Sequence, residues 1–290
     1  RDILQNSADP KPWSLNSGIG FLDHVHRQGA GMLDIDDAIL ATTKITPGKL
    51  AAGEGEAGPY SATLTVENKG DHAVTYDLSY VSAIATTGTW AADLGFWLSD
   101  EYVEFGKDWV TVPPGKSRNV KVTINPPTGP DLGTYGGYIV FTPRDSGQVY
   151  RVPYAGFVGD YQALPVLDAN PYGLPWLMGG PVYTLEDGDI PEFWVNLGHQ
   201  VRRLRAEVFD ANTGKAWQRA FEEEYVGRNS NYNTFYSFPL DGTTVRGKKA
   251  APVPDGDYIV VLSVQKALGD DDNPDHWETW TSPVITIDRP

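Results

Sequence analysis

Between residues 41 and 160, apolar and polar side chains alternate with a period of two. Ala62, Leu64 and Val66 fall on one side, and Ser61, Thr63, Thr65 and Glu67 on the other. Val120, Val122 and Ile124 alternate with Asn119, Lys121 and Thr123, and Tyr76, Leu78 and Tyr80 repeat the pattern. Successive side chains of a strand point to opposite faces, so this predicts strands with one face on a core and one in water. Turn signals separate them at Asn68-Lys69-Gly70-Asp71, Pro113-Pro114-Gly115 and Pro126-Pro127-Thr128-Gly129. The segment Arg144-Asp145-Ser146-Gly147 reads as the turn of a hairpin joining strands over 135–143 and 148–157.

A second β-rich stretch covers 182–290, with strands expected over 192–197, 201–210, 234–240, 257–266 and 279–287 and a turn at Asn212-Thr213-Gly214. The run Glu222-Glu223-Glu224 reads as a solvated turn or edge. Between the two stretches, residues 161–181 hold Pro165, Pro171, Pro175 and Pro181 with three glycines, and read as a linker.

The first 40 residues do not read as an independent domain. An apolar pair, Ile3 and Leu4, marks the tail of a helix stopped before Pro10, and residues 10–31 read as loop. The Asp34 carboxylate is placed to cap a short helix over 35–40 by accepting from early backbone N–H groups. On that helix Ile35, Ala38 and Ile39 recur at i, i+3 and i+4, an apolar stripe that needs something to cover it.

Composition narrows the function. Of 290 residues, 15 are Tyr and 9 are Trp, residues favoured in strands. The formal net charge of −15 repels phosphate backbones, so nucleic acid is not an expected partner. The absence of cysteine removes disulfides, thiolate metal sites and cysteine nucleophiles. No run is long and apolar enough for a signal peptide or a membrane span, so any export signal is expected upstream of Arg1.

The junction carries more. Arg27-Gln28-Gly29-Ala30-Gly31-Met32-Leu33-Asp34 is followed by Ala41-Thr42-Thr43-Lys44-Ile45-Thr46-Pro47-Gly48-Lys49-Leu50. Further on come Pro113-Pro114-Gly115-Lys116-Ser117 and Gly133-Thr134-Tyr135-Gly136-Gly137-Tyr138-Ile139. In this order and spacing they resemble the place where the catalytic domain of a large secreted subtilisin-like serine protease ends and its fibronectin-III-like accessory region begins. A looser likeness to the last strand of the terminal accessory domain lies at His276–Pro283. The resemblance implies an all-β chain of two fibronectin-III-like or immunoglobulin-like sandwiches in tandem, preceded by a short helix-and-loop remnant. Residues 1–40 would be the end of the catalytic domain, 41–160 the first sandwich, 161–181 a linker and 182–290 the second sandwich. It also implies a secreted or cell-surface parent, with the upstream protease domain as partner and proteins or peptides as the parent's substrates.

Chemistry within the chain is sparse. A subtilase needs Asp, His and Ser in that order, the Ser in a Gly-Thr-Ser setting, and no Gly-Thr-Ser occurs here. No residue is therefore assigned a catalytic or cofactor-binding role, and the fragment is expected to be inactive alone. His24 and His26 form a His-x-His pair next to Asp23 with no third ligand evident, and loop histidines are the plainer reading. The run Asp270, Asp271, Asp272, Asn273, Pro274, Asp275 is the best candidate for a structural calcium loop, with a solvated acidic loop as the alternative. Two shorter acidic loops lie at Glu186-Asp187-Gly188-Asp189 and Asp255-Gly256-Asp257. Trp90, Trp97 and Trp109, or Trp277 and Trp280, are candidates for a sugar platform, against core packing. The accessory region of a protease is thus the first reading, and a free-standing carbohydrate- or protein-binding module the second.

Overall fold

The computed structural model describes residues 1–87, 94–145, 147–167, 170–246 and 249–290. They form two compact units, one within residues 1–161 and one within 162–290.

The first unit opens with three short helices, α1 (Asp2–Asn6), α2 (Val25–Gln28) and α3 (Ile35–Leu40). Strands follow as β1 (Thr43–Thr46), β2 (Leu50–Glu54), β3 (Tyr60–Asn68), β4 (Val74–Ser82), β5 (Ile84–Thr87) and β6 (Gly95–Leu98). Then come β7 (Tyr102–Phe105), β8 (Trp109–Val112), β9 (Ser117–Asn125), β10 (Thr134–Pro143) and β11 (Tyr150–Phe157). One sheet has the order β1-β3-β9-β7; the other runs β2-β11-β10-β4-β8, with β5 and β6 attached through β10. The period-two pattern has the expected consequence. Leu64 and Val66 of β3, Val120, Val122 and Ile124 of β9, and Tyr76 and Leu78 of β4 all point into one buried core.

Strand β10 is different, because Tyr135 through Ile139 are buried on both faces. Its outer face is covered by the first 40 residues. Val25 of α2 forms a small apolar cluster with Ala83 and Tyr138, and the Tyr138 hydroxyl donates to Gly29 O at 2.9 Å. Asn6 is fully buried at the end of α1, where its side-chain oxygen accepts from Ile45 N (2.9 Å) and its amide donates to Arg151 O (3.2 Å). Residues 1–40 are therefore built into the first sandwich. A buried polar group with both functions satisfied holds its segment firmly, because opening it strands donors and acceptors.

This close approach explains Gly136. A Cβ there would lie 2.5 Å from Tyr154 O and 3.1 Å from Val25 Cβ. Gly136→Ala should lower the stability of the first unit by about 1–3 kcal/mol, as overpacking of a filled interior does. Thermal unfolding of the full chain checks this, and an unchanged first-unit transition would contradict it.

The second unit contains β12 (Trp176–Met178), β13 (Val182–Tyr183), β14 (Glu192–Val195), β15 (Val201–Asp210), β16 (Ala216–Val226) and β17 (Tyr236–Pro239). It continues with β18 (Thr243–Arg246), β19 (Lys249–Pro252), β20 (Gly256–Lys266), β21 (Trp277–Thr281) and β22 (Ile285–Ile287). A small sheet, β12-β14-β17, accompanies a large one of order β13-β22-β20-β15-β16-β18-β19, with β21 also on β20. Phe193, Val195, Leu204, Ala206, Val208, Val260, Leu262 and Val264 belong to its core. The chain is thus all-β, with two sandwiches in tandem.

One local expectation is corrected and another is narrowed. From Gln162 onward, the stretch read as a linker belongs to the second unit, with Val166, Leu167 and Leu174 buried. Its prolines stop long strands from forming but leave its apolar side chains free to dock. The Glu222-Glu223-Glu224 run lies inside β16, where among the described pairings only β15 flanks it, so of the turn-or-edge reading the edge holds. Opposite these residues β15 presents Arg205, Leu204 and Arg203, so two of the glutamates face cations across the ladder.

Candidate docking surface

Helix α3 forms where expected. Asp34 Oδ1 accepts from Asp37 N at 2.9 Å, and Asp36 and Asp37 add negative charge to the first turn. The loop before it is pinned by a two-way bridge, Asp9 N to Met32 O (2.9 Å) and Met32 N to Asp9 O (2.8 Å). The helix is held, yet its apolar stripe is bare. Ile35 is 58% exposed, Ile39 76% and Leu40 75%, and the preceding Met32 and Leu33 are also exposed. A contiguous patch of this kind is uncommon on a lone soluble protein and marks an interaction surface.

The other candidates are engaged locally. The His24 ring is 5% exposed, and both its nitrogens are committed. Nδ1 accepts from His26 N (2.9 Å) as the cap of α2, so the ring proton sits on Nε2 and donates to Thr134 Oγ1 (2.8 Å). Burial, together with the nearby His26, pulls this imidazole down to about 4. A ring with neither nitrogen free cannot join His26 on a metal, which favours the plainer reading of the pair.

The carboxylates of Asp270, Asp271, Asp272 and Asp275 are not brought together. Asp271 is drawn to Arg202 and Arg203 and accepts from Gln265 Nε2 (2.5 Å), contacts that hold its pKa low, the Gln265 bond foremost. Asp270 Oδ1 accepts from Asp272 N (3.0 Å), and Asn273 takes the amide of Asp275. The two shorter acidic loops behave alike. Asp189 accepts from Thr184 N and Oγ1, Asp255 pairs with Arg289, and Asp257 accepts from Thr286. Among the described residues the carboxylates that do converge are Glu54 and Glu56, two residues apart, and Asp160, more than a hundred residues further on, which no spacing could signal.

The tryptophans divide between core and surface. Trp280 packs edge-on against Phe193 (6.2 Å), beside the second core. Trp277, three residues earlier, lies on the other face of β21, beneath Arg203 and Arg205. Trp97 and Trp109 are about half exposed, and Trp90 falls outside the described residues.

One buried carboxyl gave no sequence signal. Glu101 follows the polar pair Ser99-Asp100, yet it is 3% exposed. Ser99 Oγ donates to its Oε2 and the Tyr154 hydroxyl to its Oε1 (3.3 Å). Burial pushes it up to about 7.

Residues 54–155 match a family described as Fn3-like domain. The first sandwich is an Fn3-like domain. The chain is 27% identical over 228 residues to a PII-type proteinase of Lacticaseibacillus paracasei, covering 73% of this chain and 11% of that protein. A PII-type proteinase of Lactococcus lactis subsp. cremoris is 27% identical over 159 residues, covering 49% of this chain and 8% of that protein. The chain therefore spans about a tenth of the length of the curated relatives it matches. Among solved structures, the ASH/PapD-like domain of human CEP192 aligns over 40% of this chain and 84% of its own, with 17% identity and a TM-score of 0.30. The likeness to the C-terminal region of a large subtilisin-like proteinase, read from the junction that leads into the Fn3-like sandwich, stands on the family and proteinase matches. Among the described residues no helix is long and apolar enough to cross a membrane.

Proposed function

We propose that this chain is the non-catalytic accessory region of a secreted, cell-surface subtilisin-like endopeptidase, and that it braces the catalytic domain through the α3 surface. The observation that carries this reading is the bare Ile35, Ile39 and Leu40 face on a capped helix built into the Fn3-like sandwich. The likeness to proteinases over most of the chain supports it. Covering three large aliphatic side chains is worth about 1.5–3 kcal/mol each, enough to fix one domain against another. The catalytic domain that the resemblance places upstream is the partner nearest at hand.

The test is made in the whole parent polypeptide. Ile39→Asp with Leu40→Asp should shorten the half-life of peptide hydrolysis at elevated temperature by about tenfold, because a charge replaces each buried contact. The two positions are solvent-exposed in the chain alone, so its own unfolding should be unaffected. An unchanged half-life, with hydrolysis of peptides and intact proteins also unchanged, would remove the bracing role.

A further inference from the structure

Along the side of the first sandwich, where β8 of one sheet meets β9 of the other, lies a hollow of about 380 Å³. Its floor is apolar, made by Leu78, Val110 and Val120. Its rim carries Lys107, Arg118 and Lys121, with Asn119 and Thr111 between them and Trp109 as a wall. No carboxylate lines it. In a chain of net charge −15, three cations gathered around one depression without a counter-charge are unexpected. Other arginines of the chain do find carboxylates, as Arg144 does in Asp77 and Arg289 in Asp255.

The rim groups are donors. Arg118 spends one guanidinium N–H on Ser117 O, and neither it nor Lys107 or Lys121 takes part in an ion pair among the described residues. Asn119 accepts from the Thr65 hydroxyl through its carbonyl oxygen (3.2 Å), and its amide nitrogen has no partner among the described residues. The Thr111 hydroxyl is already tied to Thr75 (2.7 Å). Trp109 is steadied by Arg144, whose guanidinium carbon lies 5.4 Å from the ring centre and is fixed in turn by Asp77. The hollow thus offers a fixed aromatic wall, an apolar floor and a rim of positive donors.

The geometry points to a binding site for an anionic sugar, a ring bearing one phosphate or carboxylate. The ring lies on the apolar floor beside Trp109, and the anionic group accepts from Arg118, Lys121 and Lys107. Volume fits this class, because small-ligand sites begin at about 300 Å³. Guanidinium and ammonium donors suit either anion, Arg118 by a forked pair of N–H groups and the lysines as point charges.

Calorimetric titration of the full chain tests the assignment with three probes: glucose 6-phosphate, galacturonate and neutral glucose. At ~20 mM salt at least one of the anions should bind, and its affinity should fall by about fivefold or more at ~200 mM salt, since the rim is exposed to screening. Whichever anion binds more tightly identifies the anionic group. Arg118→Glu with Lys121→Glu should weaken binding by about tenfold or more, whereas Lys121→Arg should hold it within about twofold, because charge is kept. Both substituted side chains are exposed, and far-ultraviolet circular dichroism verifies that the sandwich is intact. Absence of binding by both anions, equal binding of glucose, or retained affinity after charge reversal would each overturn the site.

Discussion

Glu278→Ala should destabilise the second unit by about 3 kcal/mol, because it removes one member of a largely buried ion pair and strands what that carboxylate satisfies. The Glu278 side chain is 21% exposed and its partner Lys266 10%, with Lys266 Nζ 3.3 Å from Glu278 Oε1. The same carboxylate accepts Val166 N (2.9 Å) and Leu167 N (2.8 Å), and Lys266 also donates to Gln162 O. One pair of side chains on β20 and β21 thereby ties down the backbone of residues 162–167, the stretch whose prolines made it look like a free tether. In a urea titration of the full chain, the second-unit transition should move down by more than about 1 M, at a slope typical of a domain this size. Glu278→Gln keeps an acceptor for one N–H but not the charge, and should fall between wild type and alanine. Adding Lys266→Met to Glu278→Ala should recover part of the loss, since the stranded ammonium goes with it. A midpoint that stays put in Glu278→Ala would mean that Val166 and Leu167 hold the segment without the ion pair.

The same pair shows where sequence reasoning stops. Local patterns were legible. Alternation in β3, β4 and β9 gave the core face, and Asp34 gave the cap of α3, because both depend on neighbours a few residues away. The Val201–Asp210 strand was likewise readable from its own residues. Long-range pairings were not. Glu278 and Val166 lie 112 residues apart, and Asn6 and Arg151 lie 145 apart. Nothing in either segment announces the other, so what residues 1–40 pack on could not be named and 161–181 looked like a tether. The place of Glu222-Glu223-Glu224 within β16 escaped because its ladder partners, Arg205, Leu204 and Arg203, stand on a different strand. Part of the α3 surface was visible in advance as an unsatisfied stripe. The cationic hollow was not, since Lys107, Arg118 and Lys121 come from a loop and a strand whose proximity only the sandwich creates.

That dependence on tertiary surroundings also governs how the first unit should respond to pH, through two buried groups of opposite sign. His24 is lowered from 6.5 to about 4, chiefly by burial and then by His26, with Thr134 and Asp23 acting the other way. A folded state that binds the proton less tightly than the unfolded chain gains stability as pH rises, so its contribution is present above about 6.5 and lost as pH falls through about 4. Glu101 is raised from 4.5 to about 7, chiefly by burial, against hydrogen bonds from Ser82 and Tyr154 and with Asp100 nearby. Its contribution is present below about 4.5 and lost as pH rises through about 7. Each is worth about 3 kcal/mol across its window. The windows overlap, so in the wild type the two offset each other from about pH 4.5 to 6.5, and what remains is the modest rise that the lowered His26 adds. Glu101→Gln removes one side of the balance. Whatever its absolute loss, its stability should then climb by about 2–3 kcal/mol more than wild type does from pH 4.5 to 6.5. His24→Gln should show the reverse, a decline over the same range that is softened by the smaller downward shift of His26. The exposed carboxylates are common to all three proteins and drop out of the comparison. Parallel pH profiles for wild type and Glu101→Gln would mean that Glu101 is ionised in the fold, and that water reaches the space between Ser99 and Tyr154.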